Sequence, residues 1–146
     1  MKLPERILLK LQKMNQYLEE LDELLPADEE EYVKSLALRR ACEKTIEAAI
    51  EEVLDILSLV ISYLQLGLPQ NEESIIIIAA KKKIISPALA EKIKRMKGFR
   101  NILVHRYGEI DDARSYSFLS GELPDFLEFE QEIRKALHVR KSTDHS

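Results

Sequence analysis

Residues 32–64 read YVKSLALRRACEKTIEAAIEEVLDILSLVISYL. Tyr32, Leu36, Ile46, Ile50, Val53, Leu57, Val60 and Leu64 recur at helical spacing, with acids and lysines set between them. Asp28, Glu29, Glu30 and Glu31 put carboxylates at the start, where the helix dipole favours them. Gly67 is placed to stop the helix and Pro69 to keep it from resuming. The pattern predicts one helix of roughly 35 residues, about 50 Å long. That is longer than a domain of 146 residues needs for its own core. Such a helix is expected to find a partner in the bundle or in a second subunit.

The flanks carry the same period. Leu3, Ile7, Leu11, Met14, Leu18, Leu21 and Leu25 make one apolar stripe, with Pro4 in the first turn and Pro26 past the end. Ser86-Pro87 opens another helix, followed by Leu89, Ile93, Met96, Arg100, Leu103 and Tyr107, with Gly108 placed to end it. Asp111-Asp112 caps a short helix over Ala113–Leu119, which Gly121 breaks. Pro124-Asp125 starts the last one, with Phe126, Phe129, Ile133 and Leu137 inward. The segment EESIIIIAAKKKII (72–85) is ambiguous, because four isoleucines favour a strand. The helices around it offer no second strand, so it reads as a short helix. The fold class is all-α: an up-down bundle of four main helices plus one or two short ones, homodimeric. One domain spans 1–139, and the polar stretch 140–146 is expected to be a frayed tail.

Composition agrees. The chain is 45% hydrophobic and 33% charged, with 4 Gly and 5 Pro. The single Cys42 excludes an internal disulfide and a cysteine-based zinc site, and it fits a reducing cytoplasm. The N-terminus has charges throughout, unlike a signal peptide, and no stretch approaches the ~20 apolar residues of a membrane span. No metal-ligand cluster or glycine-rich phosphate loop is legible, so neither a metal nor a cofactor is expected. The net charge of −4 hides a division. Residues 1–80 are net −8, residues 81–106 net +8, and residues 107–146 net −4. The basic segment is either an anion-binding surface or a solvated face that balances the acidic helices.

Within it lies GFRNILVHRYG, 98–108. At ~100° per residue, Arg100 and Tyr107 fall on the apolar stripe of the helix. Gly98, Asn101 and His105 form a separate strip. Taken singly, an arginine or histidine near a helix C-terminus is ordinary dipole pairing. Together, Arg100, Asn101, His105 and Tyr107 offer a fixed cation, an amide, a proton donor or acceptor and a phenol, a set suited to phosphate. An arginine on a buried seam must find an anion or meet a heavy desolvation cost. Arg100 and His105 are ~140° apart on a straight helix, too far round to grip one phosphate side by side. Either the helix loosens near Gly108, or two copies of it pack across a two-fold axis and line one cleft. The second also accounts for the over-long helix and for Gly98.

Arg100 to Tyr107, R-N-I-L-V-H-R-Y, resembles the R-x4–6-H motif of the HEPN superfamily in its R-N-x-x-x-H-x-Y form, found in HepT-like proteins. The lead-in MKGFRN (96–101) and the segment RRACEKTIEAAIEEVLDI (39–56) are similar to the same family, so the likeness covers nearly the whole chain. The resemblance implies an all-α homodimer in which motif helices from two subunits meet. It implies a metal-independent ribonuclease, the toxin of a toxin–antitoxin pair, whose antitoxin is a minimal nucleotidyltransferase (MNT). It also implies that the partner acts by binding or by adenylylating the motif tyrosine, Tyr107. On this reading His105 is base or acid, Arg100 clamps the phosphate of the RNA substrate, and Asn101 orients one of them. Lys94, Lys97 and Arg106 guide RNA, with Lys81, Lys82, Lys83 and Lys92 nearby.

Two other readings of the residues stand beside this one. The same cleft could hold a nucleotide, or present a substrate to the nucleotidyltransferase, without catalysis. Or the chain could be a structural dimer module. Arg40 and Glu43 read as an i,i+3 surface ion pair more readily than as part of the site. His138 and His145, at or past the last helix end, are expected to be exposed.

Overall fold

The computed structural model describes residues 1–105 and 110–144, with side chains to 139. Seven helices and no strand occur among these residues: α1 (Leu3–Leu24), α2 (Glu29–Lys34), α3 (Leu36–Tyr63), α4 (Glu72–Lys81), α5 (Pro87–His105), α6 (Asp112–Gly121) and α7 (Pro124–Asp144). The four main helices are α1, α3, α5 and α7. The short ones are three, not one or two.

The long helix read from residue 32 onward is broken at Ser35. Its backbone there is extended, at φ −105 and ψ 107, and its Oγ accepts the Leu38 N–H at 3.1 Å. Apolar periodicity runs through the break, so the pattern alone favoured continuity. A serine that satisfies an orphan N–H makes a helix start competitive at that point. The bend lets α2 fold over and bury Tyr32 completely, with its ring 5.4 Å from that of Tyr116 on α6. Arg39 staples the corner, donating to the Val33 carbonyl and pairing with Asp112 at 3.5 Å.

The stop of α3 also differs from expectation. Gln65 at φ +55, not Gly67, takes the left-handed position just past the end. Leu66 N–H donates to Ile61 O at 3.0 Å and Gln65 N–H to Ser62 O at 3.1 Å, the paired bonds of a Schellman motif. Lys83 at φ +62 ends α4 the same way, with Ile84 N–H on Ala79 O at 2.8 Å. Gly67 serves the following turn at φ +149, where a side chain is disfavoured.

The stretch read as a short helix over 72–85 forms α4 over residues 72–81. An Asn71–Ser74 capping box starts it, and only Ile76 of its four isoleucines is fully buried. Ser86 caps α5 through its Oγ on Leu89 N–H at 3.1 Å, and Glu132 accepts from the Ser86 N–H at 2.6 Å. Helix α6 ends at Gly121, as read, and α7 continues past Val139 to Asp144.

Among the described residues α1 and α3 make the most extensive contact. Lys10 in the first half of α1 meets Glu52 and Asp55 in the second half of α3, as in an antiparallel pair. Ile7, Leu11, Met14 and Leu21 of α1 meet the buried face of α3, which includes Ile46, Ile50, Val53, Leu57 and Val60. Lys10 ties the outer edge to Glu52 at 3.3 Å and to Asp55 at 3.2 Å. Helix α5 packs on α3, α4 and α7, and Phe126, Phe129 and Ile133 of α7 complete the core. Among the described residues no helix is long and apolar enough to cross a membrane.

Candidate active site

Helix α5 is anchored at both ends. Lys92 reaches Glu128 at 2.7 Å and Asp125 at 3.7 Å on α7. Near its C-terminal end Leu103 is buried, and Phe99 stacks on Phe118 of α6 with centroids 4.2 Å apart and planes at 15°. These contacts fix the helix rotation, which decides where the polar residues point.

Arg100 points in. Its side chain is only 11% exposed, and its Nη2 donates to Oε1 of Glu72, the first residue of α4. The Arg100 Nε is buried with no hydrogen-bond partner among the described residues. The desolvation cost expected of a seam arginine is thus met by one carboxylate, and not fully. Asn101 is half-buried. His105, the last residue of α5, lies exposed at its C-terminal end, where a helix dipole favours positive charge. Gly98 and Ile102 share the outward face with it, and Ile102 is 55% exposed. A Cβ added at Gly98 would meet nothing within 4 Å. No close approach among the described residues therefore calls for the glycine.

Arg100 and His105 are thus not brought together on one side of the helix in a single chain. Tyr107 and Arg106, and the expected stop at Gly108, lie outside the described residues, as does His145. Lys94 is exposed but paired with Glu91 at 3.1 Å, and Lys97 is half-buried. Lys81, Lys82 and Lys83 are exposed at the far end of α4 from Glu72. His138 is exposed, as expected.

Two acids carry more than their sequence context suggested. The reading of 72–85 gave Glu72 no role, and nothing in its spacing from Arg100 announces their contact. Glu43 does pair with Arg40 at 3.0 Å, but not as a surface pair: Glu43 is 1% exposed while Arg40 remains largely in solvent. Burial, with the Glu43 charge added, pushes the Tyr32 phenol well above its ordinary range and the Cys42 thiol up to about 11. A buried position could have been inferred from Glu43 falling next to Cys42 and one turn before Ile46. A concavity of about 460 Å³ at the end of α3, lined by Ser58, Ser62, Gln65, Gly67, Leu68 and Pro69, contains no acid, base or thiol. The candidate groups remain those of α5.

Comparison with known proteins places this helix in a family. A tRNA nuclease HepT of Aphanizomenon flos-aquae is 25% identical over 128 residues, 88% of this chain and 87% of that protein. An mRNA nuclease HepT of Shewanella oneidensis is 26% identical over 102 residues, 70% of this chain and 77% of that protein. The solved structure of a tri-AMPylated Shewanella oneidensis HEPN toxin in complex with its MNT antitoxin shares the fold, with a TM-score of 0.83, 23% identity, and coverage of 88% of this chain and 96% of that one. The family model described as "Ribonuclease HepT-like" matches residues 14–133, from the second half of α1 to the middle of α7, and the chain accordingly belongs to the HepT-like ribonucleases of the HEPN superfamily.

Proposed function

We propose that this chain is an endoribonuclease toxin that cuts RNA at a site shared by two α5 helices. The observation that carries the reading is Arg100: a cation set in an apolar seam, less than two turns before an exposed histidine. Metal-free cleavage of RNA uses the 2′-OH as nucleophile. His105 takes the 2′-OH proton, the 2′-oxygen bonds to phosphorus, and the bond to the 5′-oxygen breaks. A second acid, His105 of another copy, protonates the leaving oxygen. The products are a 2′,3′-cyclic phosphate and a 5′-hydroxyl. Arg100 stabilises charge on the pentavalent phosphate, and Asn101 orients the phosphate or the imidazole. DNA lacks the nucleophile and survives. Lys94, Lys97 and Arg106 draw RNA to the cleft.

The partner is an MNT nucleotidyltransferase, the kind of protein found with the solved Shewanella toxin. Transfer of AMP from ATP to the Tyr107 phenol, with loss of pyrophosphate, would set a bulky anion where RNA phosphate must lie and so silence the toxin. The AMPylated state of that relative supports this step.

The test is cleavage of total RNA by purified protein with Arg100→Ala and His105→Ala beside wild type. Cleavage by wild type alone, leaving cyclic-phosphate ends, is expected. Intact RNA with wild type, or equal cleavage by His105→Ala, would overturn the nuclease reading in favour of a non-catalytic subunit of the nucleotidyltransferase.

A further inference from the structure

The contact between Arg100 and Glu72 spans two helices and was not designed by their own periodicity. Glu72 opens α4, where Asn71 and Ser74 cap the helix without its help. Its carboxylate is therefore available for another task. It lies 41% exposed and holds the Nη2 edge of a guanidinium that is otherwise enclosed. The Arg100 Nε on that guanidinium is left buried and unpaired. An arginine fork matches carboxylate and phosphate by the same hydrogen-bond geometry. A carboxylate and a phosphate cannot both hold the same edge without strong repulsion.

We propose that Glu72 is an internal substitute for the RNA phosphate, a residue that sets substrate affinity by occupying Arg100 until RNA displaces it. The inference rests on the reading of Arg100 as the phosphate-binding cation. When RNA arrives, the Arg100–Glu72 pair is exchanged for an Arg100–phosphate pair, and the guanidinium leaves the position in which its Nε has no partner. Glu72, already part-exposed, returns to water. The exchange makes binding weaker than the bare cation would allow. It also lowers salt dependence, because the released carboxylate gathers counterions while the phosphate loses them.

The test uses the full-length protein and a fluorescein-labelled oligoribonucleotide, with a 2′-deoxy version that cannot be cleaved. Glu72→Gln keeps shape and removes charge. It is expected to bind the deoxy oligonucleotide and to lower KM for the RNA by roughly three- to tenfold, with kcat unchanged within about twofold. The slope of log affinity against log salt is expected to steepen by up to about 0.7, the value of one added single-strand phosphate contact. In an Arg100→Ala background the same substitution is expected to gain markedly less. Equal gains in both backgrounds would mean general repulsion and overturn the proposal. So would a fall in kcat at constant KM, which marks a residue that positions Arg100, or an unchanged affinity and slope. Should Glu72→Gln not fold, Glu72→Asp retracts the carboxylate while keeping a good helix start, and a gain in the same direction is expected. Failure of both to fold would make the pair a structural staple and sink the idea. If wild type shows no cleavage dependent on Arg100 and His105, the nuclease reading falls separately, and deoxy-oligonucleotide binding still decides the role of Glu72.

Discussion

Replacing Arg100 with alanine separates a catalytic cation from a structural one, because the two roles predict different magnitudes. The stem of Arg100 is largely buried. Removing Cγ and Cδ, about two methylenes at ~0.8 kcal/mol each, costs roughly 1.6 kcal/mol. Losing an ion pair to a part-exposed Glu72 adds about 0.5 kcal/mol. Against this, the unpaired buried Nε disappears, returning about 1–3 kcal/mol, and rotamer freedom up to about 2 kcal/mol is no longer lost on folding. The terms nearly cancel, so urea unfolding is expected to place Arg100→Ala within about 1.5 kcal/mol of wild type. Deleting a donor aimed at a charged transition state instead lowers turnover by about 10²–10³. Single-turnover RNA cleavage, measured where both proteins are fully folded, reads that loss. Arg100→Lys is expected to fall between the two, since it keeps the charge but not the fork. A stability loss above about 3 kcal/mol, with cleavage that tracks the folded fraction, would show the arginine to be structural. Wild-type cleavage by a stable variant would refute the site.

Two further outcomes follow from the surfaces around it. Gly98→Ala fills open space on a helix and is expected to stabilise the isolated chain by about 1 kcal/mol, while weakening self-association measured by sedimentation if a second α5 packs there; unchanged association would detach the glycine from a dimer contact. Asn15→Ala removes the 2.9 Å hydrogen bond to Glu130, which with Arg134 outweighs burial and holds that carboxyl below its ordinary 4.5. A lowered carboxyl stabilises the fold above about pH 4.5, and that contribution fades as pH falls through the folded value. The substitution is therefore expected to cost about 1 kcal/mol at pH 7 and less at pH 3, as read by denaturant titration at both pH values.

The helical class and most element starts were legible because caps and periodicity act locally. Ser86-Pro87, Asp111 and Pro124 each mark a helix start that the structure keeps. The break at Ser35 was hidden because Tyr32 and Leu36 keep helical spacing across it, and what rewards the bend is burial of Tyr32 against α6, some 80 residues away. The end of α3 moved from Gly67 to Gln65 for a related reason. Glycine is the cheapest left-handed residue, but two backbone bonds and the packing of Leu66 suffice to hold a glutamine there. At the candidate site, the inward place of Arg100 was readable from its position on the stripe. Its partner was not, because an ion pair 28 residues apart leaves no local spacing to read.

The divergence of Arg100 and His105 is the feature any mechanism must accommodate. Arg100 turns towards α4 and is held there, while His105 sits with Gly98 and Ile102 on the outer face. A phosphate bound to Arg100 of one chain is poorly placed for that chain's own imidazole. Rotating the helix would not help, because Phe99 on Phe118 and buried Leu103 fix its angle. A second copy resting on the outer face changes the arithmetic. It would cover an exposed isoleucine and a glycine with open space beside it, and would set two imidazoles near one cleft, as the proposed acid and base. The one movement left within each chain is then release of Arg100 from Glu72, a side-chain motion that leaves the backbone of α5 in place. Glu72→Gln is thus expected to change RNA affinity while leaving self-association as it is, whereas a Gly98 substitution that weakens association would also weaken the shared cleft.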